Sequence, residues 1–307
     1  MLANNIRRNP FLVAPALVCF MLVLLGGVSF LPLEKLGDIP SCIIMALITA
    51  LAFALPTAVF FYIRGNALPR FGFRKMTGEG LSVSLWSAAV LILQGVVIGG
   101  LFSDTYDYKT YALYGSSFNS EADSLGKGIL LFFTFVVLPV CFEGIFFRGI
   151  LSYEYRRSGF LTSAILSSLL YAMMAMDLYR FPARFLTGFL LCAVVFWTGN
   201  LLYSMLSHAV YAVFSLFFEK YFIFIARESE AATLFFFVFV SLLLLAVFAL
   251  IRSAERMLRV RGAEEDAIPM RMPKGKRPLV LYDIFSAPML WADIFCFALF
   301  AVLKILL

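Results

Sequence analysis

Apolar runs of about 20 residues recur from one end of this 307-residue chain to the other. A helix of that length crosses the ~30 Å hydrocarbon core of a bilayer. Inside that core every backbone N–H and C=O must be satisfied by the segment itself or by protein around it, which leaves helices as the natural solution for such runs. The segments read as Phe11–Leu31, Cys42–Ile63, Leu81–Phe102, Gly128–Leu151, Phe160–Met176, Phe185–Trp197, Leu201–Phe218, Ala232–Ile251 and Pro288–Leu307. Thr198-Gly199-Asn200 interrupts an otherwise continuous apolar stretch and predicts a tight turn. Only 14% of the residues are charged and 62% are hydrophobic, against about a quarter and about a half in soluble domains. The sequence therefore predicts an all-α polytopic membrane protein of about 8–9 transmembrane helices, forming a single integral-membrane domain over residues 1–307. The first run is longer than a signal-peptide core and no small-residue cleavage site follows it, so no cleavable leader is expected.

The net charge of +6 would suggest nucleic acid in a soluble protein. Here the preference of Lys and Arg for the cytoplasmic side is a sufficient cause, and no nucleic-acid partner is expected. With the N-terminus, bearing Arg7 and Arg8, in the cytoplasm and every segment crossing, most of the 25 basic residues fall inside. That predicts an integral membrane protein with a cytoplasmic N-terminus, and a bacterial plasma membrane is its expected location. The basic stretch 252–278 reads as a cytoplasmic loop that meets anionic lipid headgroups, with Glu264-Glu265-Asp266 inside it. The acidic stretch Ser103–Lys127 reads as an outer loop, and its tyrosines (Tyr106, Tyr108, Tyr111, Tyr114) read as an interfacial belt or a platform for a partner. The last segment contains Asp293 and Lys304 and either spans or lies at the interface. Gly95-Val-Val-Ile-Gly99 has the spacing that lets helices approach closely. Cys19, Cys42, Cys141, Cys192 and Cys296 all lie in apolar runs without a C-x-x-C pair and read as packing residues.

Glu143 sits in Leu138-Pro-Val-Cys-Phe-Glu143-Gly-Ile-Phe-Phe-Arg148-Gly149, within an apolar run. A charge there costs roughly 2.5–3.5 kcal/mol on insertion scales, so it is expected where something uses it. Read in isolation, such a charge is a liability whose removal raises stability. His208 is the chain's single histidine. Both residues fall about eight positions from the inner ends of their segments, about 12 Å deep at 1.5 Å per residue, so they can meet. Carboxylate and imidazole together are the parts of a general base and a polarising donor, or of a packing hydrogen bond. Arg148 follows Glu143 by five residues, about 140° around an α-helix, which predicts no direct pair and an arginine that snorkels inward or ties another helix. One His and one Glu fall short of the three ligands of a catalytic zinc, so no metal or other cofactor is expected.

Glu143-Gly-Ile-Phe-Phe-Arg148-Gly149 resembles the first motif, Glu-Glu-x-x-x-Arg, of the CAAX protease and bacteriocin-processing family of glutamic intramembrane proteases. Ser167-Ser-Leu-Leu-Tyr171-Ala-Met-Met-Ala175 aligns with its Phe-x-x-x-His motif, and Ser207-His208-Ala-Val-Tyr-Ala212 with its His-x-x-x-Asn motif. The similarity spans about 128–218. It implies a membrane-embedded endopeptidase in which Glu143 activates water, His208 polarises and Arg148 supports. The chain departs from the family at Gly144, Ala175 and Ala212, which stand where a second Glu, a His and an Asn are usual. Loss of one oxyanion donor typically costs 10²–10³ in rate. The implied reading is thus a weak or inactive protease-like protein that binds a membrane peptide or protein partner. An active glutamic endopeptidase and a docking subunit of a transport or assembly complex are the alternatives. Tyr171, Ser204, Ser207 and Tyr211 are the available stand-ins or else helix-packing groups. The pocket is expected to be small and apolar around Ala175 and Ala212.

Overall fold

The computed structural model describes residues 10–31, 33–64, 73, 75–102, 110–119, 123–228, 232–261 and 277–306. Arg7, Arg8, Tyr106, Tyr108 and the acidic triplet at 264–266 lie outside the described residues. The protein is an all-α polytopic membrane protein with one small β-hairpin. In chain order the elements are α1 (Pro10–Ser29), α2 (Asp38–Arg64), α3 (Gly78–Leu101), the strands β1 (Thr110–Leu113) and β2 (Ser116–Asn119), and the composite helix α4 (Leu125–Tyr155). There follow α5 (Phe160–Met173), α6 (Phe181–Thr198), α7 (Leu201–Phe217), α8 (Glu219–Glu228), α9 (Ala232–Arg261), α10 (Arg277–Phe285) and α11 (Pro288–Leu306).

Among the described residues seven helices are long and apolar enough to cross a membrane, or eight if α7 and α8, bent by 55°, form one broken span. The expected segment 160–176 is a 14-residue helix instead, shorter than a simple crossing needs. The last apolar segment is helical over 19 residues, passes the same test, and packs along α1. Helix α9 continues through Arg261, and α10 opens at Arg277, so both described ends of the 252–278 stretch are helical.

Local chemistry explains the joints. Thr77 caps α3 by accepting from the Gly80 N–H. The predicted turn at 198–200 is present: Gly199 ends α6 in the left-handed region at φ 63°, and the Asn200 side chain accepts from the Leu202 N–H at 3.0 Å to start α7. Phe53 of α2 stacks on Phe142 and meets Phe146 and Phe147 edge-on. This aromatic contact seats one face of α4 against α2 and turns Glu143 toward α6 and α7.

The hairpin corrects the reading of Ser103–Lys127 as a loop with an aromatic belt. Phe118 and Tyr111 pack on Phe135 of α4, with ring centroids 4.9 and 5.5 Å apart. Leu113, Tyr114, Ser116 and Phe118 are buried. β1 and β2 descend alongside α4, and two of the four tyrosines turn inward rather than toward an interface.

Candidate functional site

The site begins with irregularity in α4. Two π-helical stretches, Phe133–Val137 and Gly144–Leu151, flank the α-helical turn Leu138–Glu143. Pro139 gives a reason for the first: it has no N–H to donate four residues back, and its ring crowds the carbonyl there, which a wider turn relieves. The second is pinned at the Phe147 carbonyl, which accepts from Ser167 Oγ at 2.6 Å and from Ser152 Oγ at 3.1 Å. Such wide turns are rare and recur at functional sites.

The second π stretch overturns the expected separation of Glu143 from Arg148. At about 4.4 residues per turn, five residues come to about 50° past a full turn rather than about 140°. Arg148 Nη1 accordingly stands 3.9 Å from Glu143 Oε2. Arg148 does not snorkel: it is 2% exposed, with its guanidinium 4.2 Å from the Tyr171 ring centroid.

Glu143 is fully buried. Its Oε1 accepts from the Tyr114 hydroxyl at 2.7 Å and lies 3.8 Å from Arg184 Nη1. Its Oε2 lies 3.6 Å from His208 Nε2. The expected meeting of Glu143 and His208 is therefore present in geometry. Arg184 also donates to the Tyr171 hydroxyl at 3.0 Å. Among the described residues Glu143 Oε2, His208 Nδ1 and all three Arg148 side-chain nitrogens lack a hydrogen-bond partner. Buried polar groups rarely stay unpaired, so this cluster is chemically suited to a polar guest.

Glu143 and His208 open onto a cleft bordered also by Tyr111, Arg184, Tyr211 and Glu219. Its cavity volume of about 50 Å³ exceeds the roughly 10–15 Å³ that one water requires. Residues outside the motifs, Arg184 and Glu219 among them, supply polar walls to this small pocket. Ala212 does line the cleft. At Gly144, an added Cβ would come within 2.9–3.0 Å of the Met205 side chain, so Met205 fills the space that a second acidic side chain would need.

Residues 125–214 match the family described as Type II CAAX prenyl endopeptidase Rce1-like. Over those residues this membrane protein is similar to an Rce1-like domain. Among curated proteins none matches the chain, and no solved structure matches it. The matched stretch contains Glu143, Arg148, Tyr171, Ala175, His208 and Ala212, the positions on which the motif resemblance rests.

Of the proposed stand-ins, Tyr171 joins the cluster through both arginines, and Tyr211 lines the cleft. Ser207 instead bonds Ser84 and the Tyr203 carbonyl, tying α7 to α3. Ser204 is buried without lining the cleft. Tyr114, Arg184 and Glu219 lay outside the motifs and were missed. Signals existed for the first two: Leu113-Tyr-Gly-Ser116 has a glycine where a hairpin turn needs one, and Arg180-Phe-Pro-Ala-Arg184 places two arginines at the start of an apolar helix, whereas nothing in the sequence pointed to Glu219.

Proposed function

We propose that this protein binds a membrane-embedded or membrane-proximal peptide in the cleft over Glu143 and hydrolyses it slowly. One observation carries the reading. The carboxylate is divided, with Oε1 held by Tyr114 and Oε2 turned to His208 and Arg148 without a hydrogen-bond partner among the described residues. In this reading Oε2 takes a proton from a water that attacks the scissile carbonyl carbon. The oxyanion faces the Arg184 guanidinium, which lines the cleft, with His208 polarising beside it, and the proton passes from Glu143 to the leaving nitrogen. Slowness follows from Gly144, Ala175 and Ala212, which remove donors and a second acid that the resemblance leads one to expect. The basic-residue bias supports a cytoplasmic N-terminus, with a bacterial plasma membrane as the proposed location, and the basic 252–278 stretch supports contact with anionic headgroups.

The test uses the full chain in lipid nanodiscs with a pool of blocked, aliphatic-rich octapeptides carrying a fluorophore and a quencher. Slow cleavage lost in Glu143→Gln, with peptide binding retained, is the expected result. Cleavage that survives Glu143→Gln refutes the mechanism, and absence of peptide binding refutes the reading as a whole. A purely binding role is favoured by Met205 standing against Gly144, and it would show as binding with no Glu143-dependent cleavage.

A further inference from the structure

We propose that the cleft takes its peptide in extended form, as a third strand added to the outer edge of β1 at Ala112. This rests on the peptide-binding reading above and adds how the peptide is held. β1 and β2 pair antiparallel with Leu113 opposite Ser116, Ala112 opposite Ser117 and Tyr111 opposite Phe118. The loop is the two residues Tyr114 and Gly115, both at positive φ (48° and 81°), the arrangement of a type I′ hairpin. In such a hairpin the pair flanking the loop exchanges both hydrogen bonds, and pairs alternate from there. Leu113 and Tyr111 therefore spend their backbone groups on β2, whereas the N–H and C=O of Ala112 point away from it.

Two independent facts show where they point. Tyr111, Ala112 and Leu113 all line the cleft that contains Glu143. Arg180 Nη1 donates to the Ala112 carbonyl at 3.2 Å, so that oxygen is turned outward and accepts from a cleft side chain. Non-helical backbone at membrane depth is tolerated only where protein covers it or it lines a cavity, and this edge does the latter. The outward Ala112 N–H, and the second lone pair of its carbonyl beside the Arg180 bond, are matched by another extended backbone, the mode of β-strand addition. A lipid chain offers neither. Tyr114, whose hydroxyl reaches Glu143, is two residues beyond Ala112, about 7 Å at strand spacing. A peptide paired at Ala112 thus comes alongside the carboxylate within about two or three residues.

The experiment reads binding to the full-length protein in nanodiscs. The tightest octapeptide from the pool is N-methylated at one backbone position at a time. Each methyl removes one N–H donor, and loss of a hydrogen bond is expected to weaken binding about tenfold. The expected pattern is one sensitive position, where the peptide N–H meets the Ala112 carbonyl, between two insensitive neighbours. Ala112→Pro removes the outward N–H but none of the ladder to β2, and is expected to weaken binding by a similar factor at an unchanged thermal midpoint. Tyr111→Pro breaks the ladder and serves as the variant that does lower the midpoint. If Ala112→Pro lowers it too, the methylation scan on the unaltered chain decides. A scan with no sensitive position, or with neighbouring positions equally sensitive, overturns strand addition, even where Glu143-dependent cleavage stands. A wild-type protein that binds no octapeptide overturns both readings.

Discussion

Glu143 and Asp293, both without exposed surface, sit in opposite kinds of surroundings. Glu143 is met by a phenol, an imidazole and two guanidiniums from the hairpin, α4, α6 and α7. Asp293, on α11, has no hydrogen-bond partner for either oxygen among the described residues. It sits in the apolar seam between α1 and α11, where Cys19 and Cys296 bring their sulfurs to 3.9 Å as free thiols. An acidic residue in an apolar run is therefore not by itself a site. What distinguishes the two is the convergence of charges from distant parts of the chain, and backbone irregularity that makes it possible.

The largest expected effect breaks the Glu143 side of the comparison. Considered in isolation, a buried charge at 143 is a cost that Glu143→Ala would remove. With Arg148 and Arg184 within 4 Å the sign reverses, because the substitution leaves two cations without their counter-charge. Removing one partner of a buried ion pair costs about 3–5 kcal/mol. Thermal or denaturant unfolding in detergent micelles should show a loss of that order. A stability equal to or above wild type would mean that the arginines are satisfied elsewhere, and that the two carboxylates differ less than their neighbours suggest.

Tyr114→Phe should come next. It keeps the ring in the core beside Phe53 and deletes only the donor to Glu143 Oε1. A hydrogen bond to a charged group contributes about 1.5–3 kcal/mol. Unfolding should report such a loss, and Glu143→Gln should shrink it in a double-mutant cycle. An additive cycle would show that the phenol and the carboxylate are not coupled.

Gly144→Ala probes why the second acid of the motif is missing. Its Cβ would press on Met205, and overpacking a tight contact typically costs about 1–3 kcal/mol. Met205→Ala in the same chain should recover a good part of that loss, since the contact is with the far end of a flexible side chain. No recovery would place the constraint in the π-helical backbone instead.

How much of this could be read from sequence depends on whether a feature is local. The apolar runs, the Gly199–Asn200 turn and the shared depth of Glu143 and His208 each follow from neighbouring residues and a fixed rise per residue. Arg148 was misplaced because the angular reasoning assumed an α-helix, and the π turns of α4 change the angle per residue. Tyr114 was assigned to a loop because its flanks are polar, yet Leu113-Tyr-Gly-Ser116 forms a buried turn whose pairing depends on Phe135, far along the chain. Arg184 gains no role from the sequence alone, because its segment places it near the start of an apolar helix without showing that α6 turns it toward α4.

The smallest expected effect tests the other carboxylate. Asp293→Asn preserves the shape of the side chain and replaces one unpartnered polar group with another. Neither Asp293 oxygen has a hydrogen-bond partner among the described residues, so the exchange should move stability by less than about 1 kcal/mol, the range of substitutions that break no named interaction. Peptide binding and cleavage should be untouched, since Asp293 does not line the cleft. A loss above about 2 kcal/mol would show that Asp293 holds a partner of its own, as Glu143 does. An effect on binding at unchanged stability would be more telling still, because it would couple the α1–α11 seam to the cleft. Near-identity of Asp293→Asn with wild type, set beside the large loss expected for Glu143→Ala, would tie the difference to the neighbours of each carboxylate rather than to its burial.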